Sequence, residues 1–174
     1  MQVCSTRDAT LQRSFHDSLV SGLPPGGGLY QPYPTPNLSP HIASLPEGAS
    51  FLEVASAITA GLFAEELSAS NDDILSAALA LSKAAFPFEP VLSWLSDNIG
   101  LLELFHGPTC AFKDFGASFL ATLLEQQLRV GSDQSKAIIL VATSGDTGGA
   151  VARAFWQRKG VDVILLYPSG RISR

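Results

Sequence analysis

Cysteine is scarce in this chain, with Cys4 and Cys110 alone among 174 residues. Two cysteines so far apart make no disulfide framework, and with no other cysteine near either they make no zinc site. That usage fits a reducing cytosol, so a cytoplasmic protein is expected. Charge is scarce too, at 16% of residues, and the balance is acidic, −5 net with a pI near 5.0. The 11 lysines and arginines are scattered, with a local basic pair only at Arg171 and Arg174. No basic stripe exists to neutralise phosphates, so no nucleic-acid partner is expected. Apolar runs fall short of a membrane span, and residues 1–15 lack the apolar stretch of a signal peptide. What is abundant is hydrophobic side chain, 46% of the total. The chain reads as globular and core-forming, long enough for one ordinary domain or two small ones.

The texture changes twice along the chain. Leu11, Phe15 and Leu19 recur every four residues, which predicts a short helix ending at Gly22. Residues 23–36 carry five prolines and three consecutive glycines, an irregular loop. Ser39-Pro40 is a cap and first-position pair opening a short helix. Residues 51–67 have an apolar helical face at Val54, Ile58 and Leu62, and Asn71-Asp72-Asp73 caps a further helix through Ala85. From Val91 the pattern turns to strands: 91–95 and 101–105 flank a hairpin turn at Asp97-Asn98-Ile99-Gly100. A helix follows over 113–128, with Phe115, Phe119 and Leu123 as its buried stripe. Then come a strand over 137–142, a helix over 148–159 with Gly160 as its cap, and a strand over 161–167. That order is a βαβ unit with parallel strands. The fold class is α/β: a mainly helical region at 1–90, then a partial α/β domain at 91–174. A parallel sheet normally holds more than one crossover unit, so the domain is expected to be incomplete and the chain a fragment.

Two segments carry chemistry. In Leu104-Phe105-His106-Gly107-Pro108-Thr109-Cys110-Ala111-Phe112-Lys113-Asp114-Phe115-Gly116, a lysine opens a helix beside two phenylalanines. The positive end of the helix and the apolar neighbours both favour the neutral amine, the form that attacks an aldehyde. Taken alone, Lys113 reads far more readily as a surface lysine paired with Asp114, worth about 0–1 kcal/mol. The second segment, Thr143-Ser144-Gly145-Asp146-Thr147-Gly148-Gly149, sits between strand and helix of the βαβ unit. Hydroxyls, backbone N–H groups and a helix start there make an anion-binding nest. It is neither a Walker A loop nor a dinucleotide fingerprint, because Gly-Lys-Ser/Thr and Gly-x-Gly-x-x-Gly are both missing. A turn kept glycine-rich for close packing is the other reading. Asp146 is the odd member, since a carboxylate repels an anionic ligand unless it points elsewhere. His106 reads as a hydrogen-bonded structural histidine with general acid as the alternative, Cys110 as a small buried filler, and Trp94 and Trp156 as core.

Together the two segments resemble the threonine synthases, within the fold-type II pyridoxal-phosphate enzymes. That family has a Leu-Phe-His-Gly-Pro-Thr…Phe-Lys-Asp-x-Gly signature around its Schiff-base lysine and a Thr-Ser-Gly-Asp-Thr-Gly loop, matched at Leu104 to Gly116 and Thr143 to Gly148. Agreement extends to Ser5-Thr6-Arg7, Gly27-Gly28-Leu29-Tyr30 and Tyr167-Pro168-Ser169-Gly170-Arg171-Ile172-Ser173. The resemblance implies that Lys113 is the catalytic lysine and, with Asp146 toward the cofactor ring hydroxyl, binds pyridoxal 5'-phosphate. It implies that Thr143, Ser144, Gly145 and Thr147 hold the substrate carboxylate and that Arg171 and Ser173 approach the substrate phosphate. The activity implied is conversion of O-phosphohomoserine and water to threonine and phosphate, with the fragment alone inactive. A related phospho-lyase giving 2-oxobutyrate and a truncated non-catalytic piece are the rivals. Family members are much longer, and their Gly/Asn-rich phosphate loop has no counterpart in these residues. The residues set no oligomeric state.

Overall fold

The computed structural model describes residues 1–68, 73–130 and 136–170. The chain forms two compact units, Met1–Ser82 and Lys83–Arg174. No described helix is long and apolar enough to cross a membrane.

The first unit opens on three short strands, β1 (Gln2–Ser5), β2 (Gln12–Ser14) and β3 (Tyr30–Pro32), in the antiparallel order β2-β1-β3. The residue pattern did not announce this sheet. Leu11 therefore stands outside α1 (Phe15–Ser21), which starts where the Ser14 hydroxyl accepts the Asp17 N–H at 3.1 Å. That hydroxyl fills one of the helix's unpaired donors and ends the strand in the same stroke. Gly22 does close α1, at φ 70°. The glycine-rich loop ends in β3 and folds back on β1: Leu29 N–H donates to Thr6 Oγ1 at 3.0 Å, and Arg7 donates to the Gly26 carbonyl at 3.3 Å. Two of the segments shared with the resembling family thus lie side by side.

In α2 (Ser39–Ala43) the cap is displaced by one residue from the expected Ser39. Leu38 occupies that position, and Asn37 Oδ1 accepts the Ser39 N–H at 3.0 Å. The expected helix over 51–67 is two, α3 (Phe51–Leu62) and α4 (Ala64–Leu67), because Phe63 leaves helical geometry to set its ring edge-on to Phe15 at 5.2 Å. A capping box of Ser50 and Glu53 starts α3. The expected cap at Asn71 and Asp72 lies outside the described residues. Asp73 Oδ2 accepts from Ser76 N–H at 3.3 Å ahead of α5 (Ile74–Ala85). Val3, Cys4, Ala57, Ala60, Leu67, Ala78 and Leu81 are buried in this unit.

The second unit holds the hairpin β4 (Val91–Ser96) and β5 (Ile99–Glu103), then α6 (Lys113–Val130), β6 (Ala137–Ala142), α7 (Asp146–Phe155) and β7 (Val161–Leu166). β6 and β7 are parallel, Leu140 standing opposite Ile164. Ala117, Ala121 and Leu124 recur along one buried face of α6, and Ala150 and Phe155 are buried on α7. Small side chains let two helices pack closely. Leu123 is buried as expected, whereas Phe115 and Phe119 are half-buried: Phe119 stacks on Phe86 at 5.9 Å, and Phe115 lies tilted to Phe86 at 6.1 Å and edge-on to Phe88 at 5.0 Å. The expected helix over 148–159 starts earlier and stops sooner. Asp146 opens it, and Trp156 turns to ψ 127°, followed by Gln157 at φ 61°. That exit turns the chain so that Arg158 reaches back to α6.

Neither tryptophan is core, as the residue types had led us to expect: Trp94 is 67% exposed and Trp156 is 62% exposed. Trp94 lies in a hairpin with both faces open, and Trp156 sits where α7 ends. Along β6 and β7 exposure alternates, and Ile138, Leu140, Ile164 and Leu166 form an exposed row on one face.

Candidate functional site

Lys113 is the first residue of α6 and is half-buried. Its Nζ lies 4.4 Å from the centroid of the exposed Phe112 ring, which supplies the apolar neighbour expected from the sequence. The Phe115 ring joins the Phe86 and Phe88 rings. No carboxylate pairs with Lys113 among the described residues. In particular the surface pair with Asp114 does not form.

Asp114 is buried, 2% exposed, and points back into the preceding loop. Its carboxylate accepts the Thr109 N–H at 2.8 Å and the Thr109 hydroxyl at 2.6 Å. An acid in the first turn of a helix meets the positive end of the macrodipole, so the placement is doubly favourable. Gly107 lies against this carboxylate; a Cβ built there would sit 2.5 Å from Asp114 Oδ2. Sequence reasoning passed over Asp114, Thr109 and Gly107 as structural actors. The bond from Thr109 to Asp114 spans five residues, outside the short-range patterns that mark local side-chain to backbone bonding.

Cys110, expected to be buried, is exposed, and its φ of 55° is left-handed. The tight turn from Gly107 to Ala111 swings it outward, while Ala111 takes the buried place. His106 is hydrogen-bonded as expected, its Nε2 2.6 Å from Glu103 Oε2. Glu103 also accepts from the Ser93 hydroxyl at 2.8 Å across the hairpin. The bond to His106, then that to Ser93, holds the Glu103 carboxyl below its ordinary value.

The turn at Thr143 is organised by one hydroxyl. Thr143 Oγ1 accepts the Gly145 N–H at 3.2 Å and the Gly148 N–H at 3.0 Å, and donates to the Gly145 carbonyl at 3.2 Å. Gly148 is buried where any Cβ would run into Thr143 Cγ2, which accounts for glycine there. Ser144, Gly145, Asp146 and Thr147 are exposed. Their exposure leaves the start of α7 open to an anion, although the Gly145 and Gly148 N–H groups are already bonded to Thr143 Oγ1. Asp146 is the first residue of α7. Arg171 and Ser173 lie outside the described residues.

Both segments belong to the second unit. α6 and α7 pack together, and Arg158, just past α7, donates to Glu125 at 2.8 Å and to Thr122 at 3.0 Å on the later half of α6. α7 starts just after the carboxyl end of β6, where open α/β sheets bind ligands. No cluster of histidine, cysteine and acidic side chains suited to a metal occurs among the described residues.

A family profile described as the threonine synthase N terminus matches residues 2–78. The threonine synthase of Serratia marcescens is 39% identical over 99% of this chain, and that of Haemophilus influenzae is 41% identical over 93%. The chain spans 38% and 35% of those two proteins. Among solved structures, Escherichia coli threonine synthase matches 99% of the chain at 34% identity with a TM-score of 0.78, and the chain covers 38% of it. A threonine synthase from Brucella melitensis with bound PLP matches at the same identity and TM-score, and the chain covers 37% of it. By sequence and by fold, then, the chain belongs with the amino-terminal portion of the threonine synthases.

Proposed function

We propose that this chain is the lysine-bearing portion of a threonine synthase that converts O-phosphohomoserine and water to threonine and phosphate with pyridoxal 5'-phosphate. The observation that carries the reading is Lys113 at the start of α6, without a carboxylate partner among the described residues, in the same unit as the exposed turn of Ser144 to Thr147. The donor set fits the cofactor: a primary amine to hold its aldehyde carbon, and Asp146 to face a ring hydroxyl. When bound, the cofactor supplies an electron sink for charge developing at the substrate Cα.

The chain's own groups do the rest. The Ser144 and Thr147 hydroxyls and the N–H groups opening α7 hold and orient the substrate carboxylate, strengthened by the helix end. The Thr143 hydroxyl, committed to Gly145 and Gly148, shapes this cradle from behind. Once free of the cofactor, the Lys113 amine takes the Cα proton and moves protons at Cβ, while phosphate leaves from Cγ and water adds at Cβ. The same reading makes the protein a cytoplasmic enzyme of small-molecule metabolism.

A chimaera tests it directly. Residues 1–174 replace the matching portion of the Serratia marcescens enzyme, and threonine and phosphate are assayed from O-phosphohomoserine. Threonine formation that disappears in Lys113→Ala supports the proposal. Threonine formation that survives the loss of Lys113 sinks it, and 2-oxobutyrate without threonine transfers the chain to the phospho-lyases.

A further inference from the structure

We propose that Asp114, Thr109 and Gly107 form a clamp whose role is to position the Lys113 amine, an inference that rests on the cofactor-lysine reading above. Lys113 and Asp114 are neighbours in sequence, yet their side chains have separate fates. Adjacent positions on a helix do not face each other. Asp114 is buried and spends both carboxylate oxygens on Thr109, one on its N–H and one on its hydroxyl. This closes a ring from the loop to the first turn of α6 and fixes where that helix begins. The backbone bonds from Cys110 N–H to the Gly107 carbonyl at 3.1 Å and from Asp114 N–H to the Ala111 carbonyl at 3.0 Å lie inside the same ring. Gly107 completes it by omission, because a methyl group there would meet the Asp114 carboxylate at 2.5 Å.

Two consequences follow for the amine. The nearest carboxylate in sequence is already occupied, so it does not draw the lysine into an ion pair. The turn carrying Lys113 is also tied at a buried point one residue away, so the direction in which its side chain leaves the helix start is set. A flexible four-carbon stem gains most from a fixed root. Asp114 and Thr109 are thus positioning residues: they touch neither substrate nor cofactor.

The test uses reductive trapping on the 174-residue chain. It is exposed briefly to pyridoxal phosphate, treated with borohydride and mapped by mass spectrometry. Its four lysines, Lys83, Lys113, Lys136 and Lys159, provide internal controls, and the other three are exposed. Lys113 is expected to trap fastest although it is half-buried. Thr109→Val and Asp114→Asn should each lower its share roughly tenfold, less than the ~100-fold of an ångström-scale misplacement. Thr109→Ser, which keeps both donors, should restore the share to within about twofold of wild type on the same scale. Gly107→Ala keeps both partners and displaces the carboxylate, so it should act like Asp114→Asn even if that variant folds poorly. Faster hydrogen exchange at the Thr109 amide should accompany each loss. An unchanged Lys113 share in folded Thr109→Val and Gly107→Ala overturns the clamp, as does a wild-type Lys113 trapped no faster than the exposed lysines. The chimaera assay judges the cofactor reading separately.

Discussion

Arg158 donates to Glu125 at 2.8 Å and to Thr122 at 3.0 Å, joining the chain just beyond α7 to the later half of α6. The contact ties the exit of α7 to α6. The partners are mostly buried, with side-chain exposures of 23% for Arg158 and 13% for Glu125. Replacing Arg158 by Ala should destabilise the chain by about 1–2 kcal/mol, as for a charged hydrogen-bonding group lost from a partly screened site. Urea unfolding measures it; a shift of the midpoint too small to resolve would show that the bridge contributes nothing.

Gly148 and Thr143 form a second coupled pair. Gly148→Ala should cost about 1–3 kcal/mol, because the new methyl group meets Thr143 Cγ2 inside a packed turn. Thr143→Ser removes that methyl while keeping the hydroxyl that accepts two N–H groups. The double variant should therefore recover much of the loss. Strict additivity in a double-mutant cycle would mean the two residues do not collide.

Glu103 supplies a pH dependence whose sign is fixed. Its carboxyl is held below its ordinary 4.5, first by His106 and then by Ser93. A depressed carboxyl contributes stability that is present above the ordinary value and is lost as the pH falls through the folded value. In His106→Ala the Glu103 carboxyl should titrate closer to 4.5, as read by side-chain NMR. The stability gap between wild type and variant should close on acidification below that point; a gap that widens there contradicts the assignment.

The cysteines should react in opposite ways. Cys4 is fully buried, 0% exposed, whereas Cys110 is exposed on its turn. Iodoacetamide should label Cys110 in the native chain, and Cys4 only after denaturant is added. Equal native labelling of both would disprove the buried placement of β1.

Much of the second unit was readable because its signals are local. The apolar run ending at Ala142, the glycine-rich turn and the second apolar run dictate strand, turn, helix and parallel strand, and β6 has the expected bounds. The first-unit sheet escaped because β1, β2 and β3 are three or four residues long and rich in polar side chains. Such pairing is decided by contacts distant in sequence, as between Thr6 and Leu29. Trp94 and Trp156 read as core by residue type, but burial also requires a neighbour to bury against, which a two-stranded hairpin and a helix end do not supply. In the candidate site, Lys113 and the 143–148 turn were visible as motifs. The clamp was not, since the bonds from Thr109 to Asp114 span five residues, a spacing that no local helix or turn pattern marks.

The open row of Ile138, Leu140, Ile164 and Leu166 governs how these 174 residues behave in a test tube. Bare branched hydrocarbons at neighbouring positions attract fluorescent dyes such as ANS, mild detergents and one another. Sulfate salts strengthen such adhesion, so a purified preparation should turn cloudy as it is concentrated in ammonium sulfate and clear again when an aspartate is placed at Leu140.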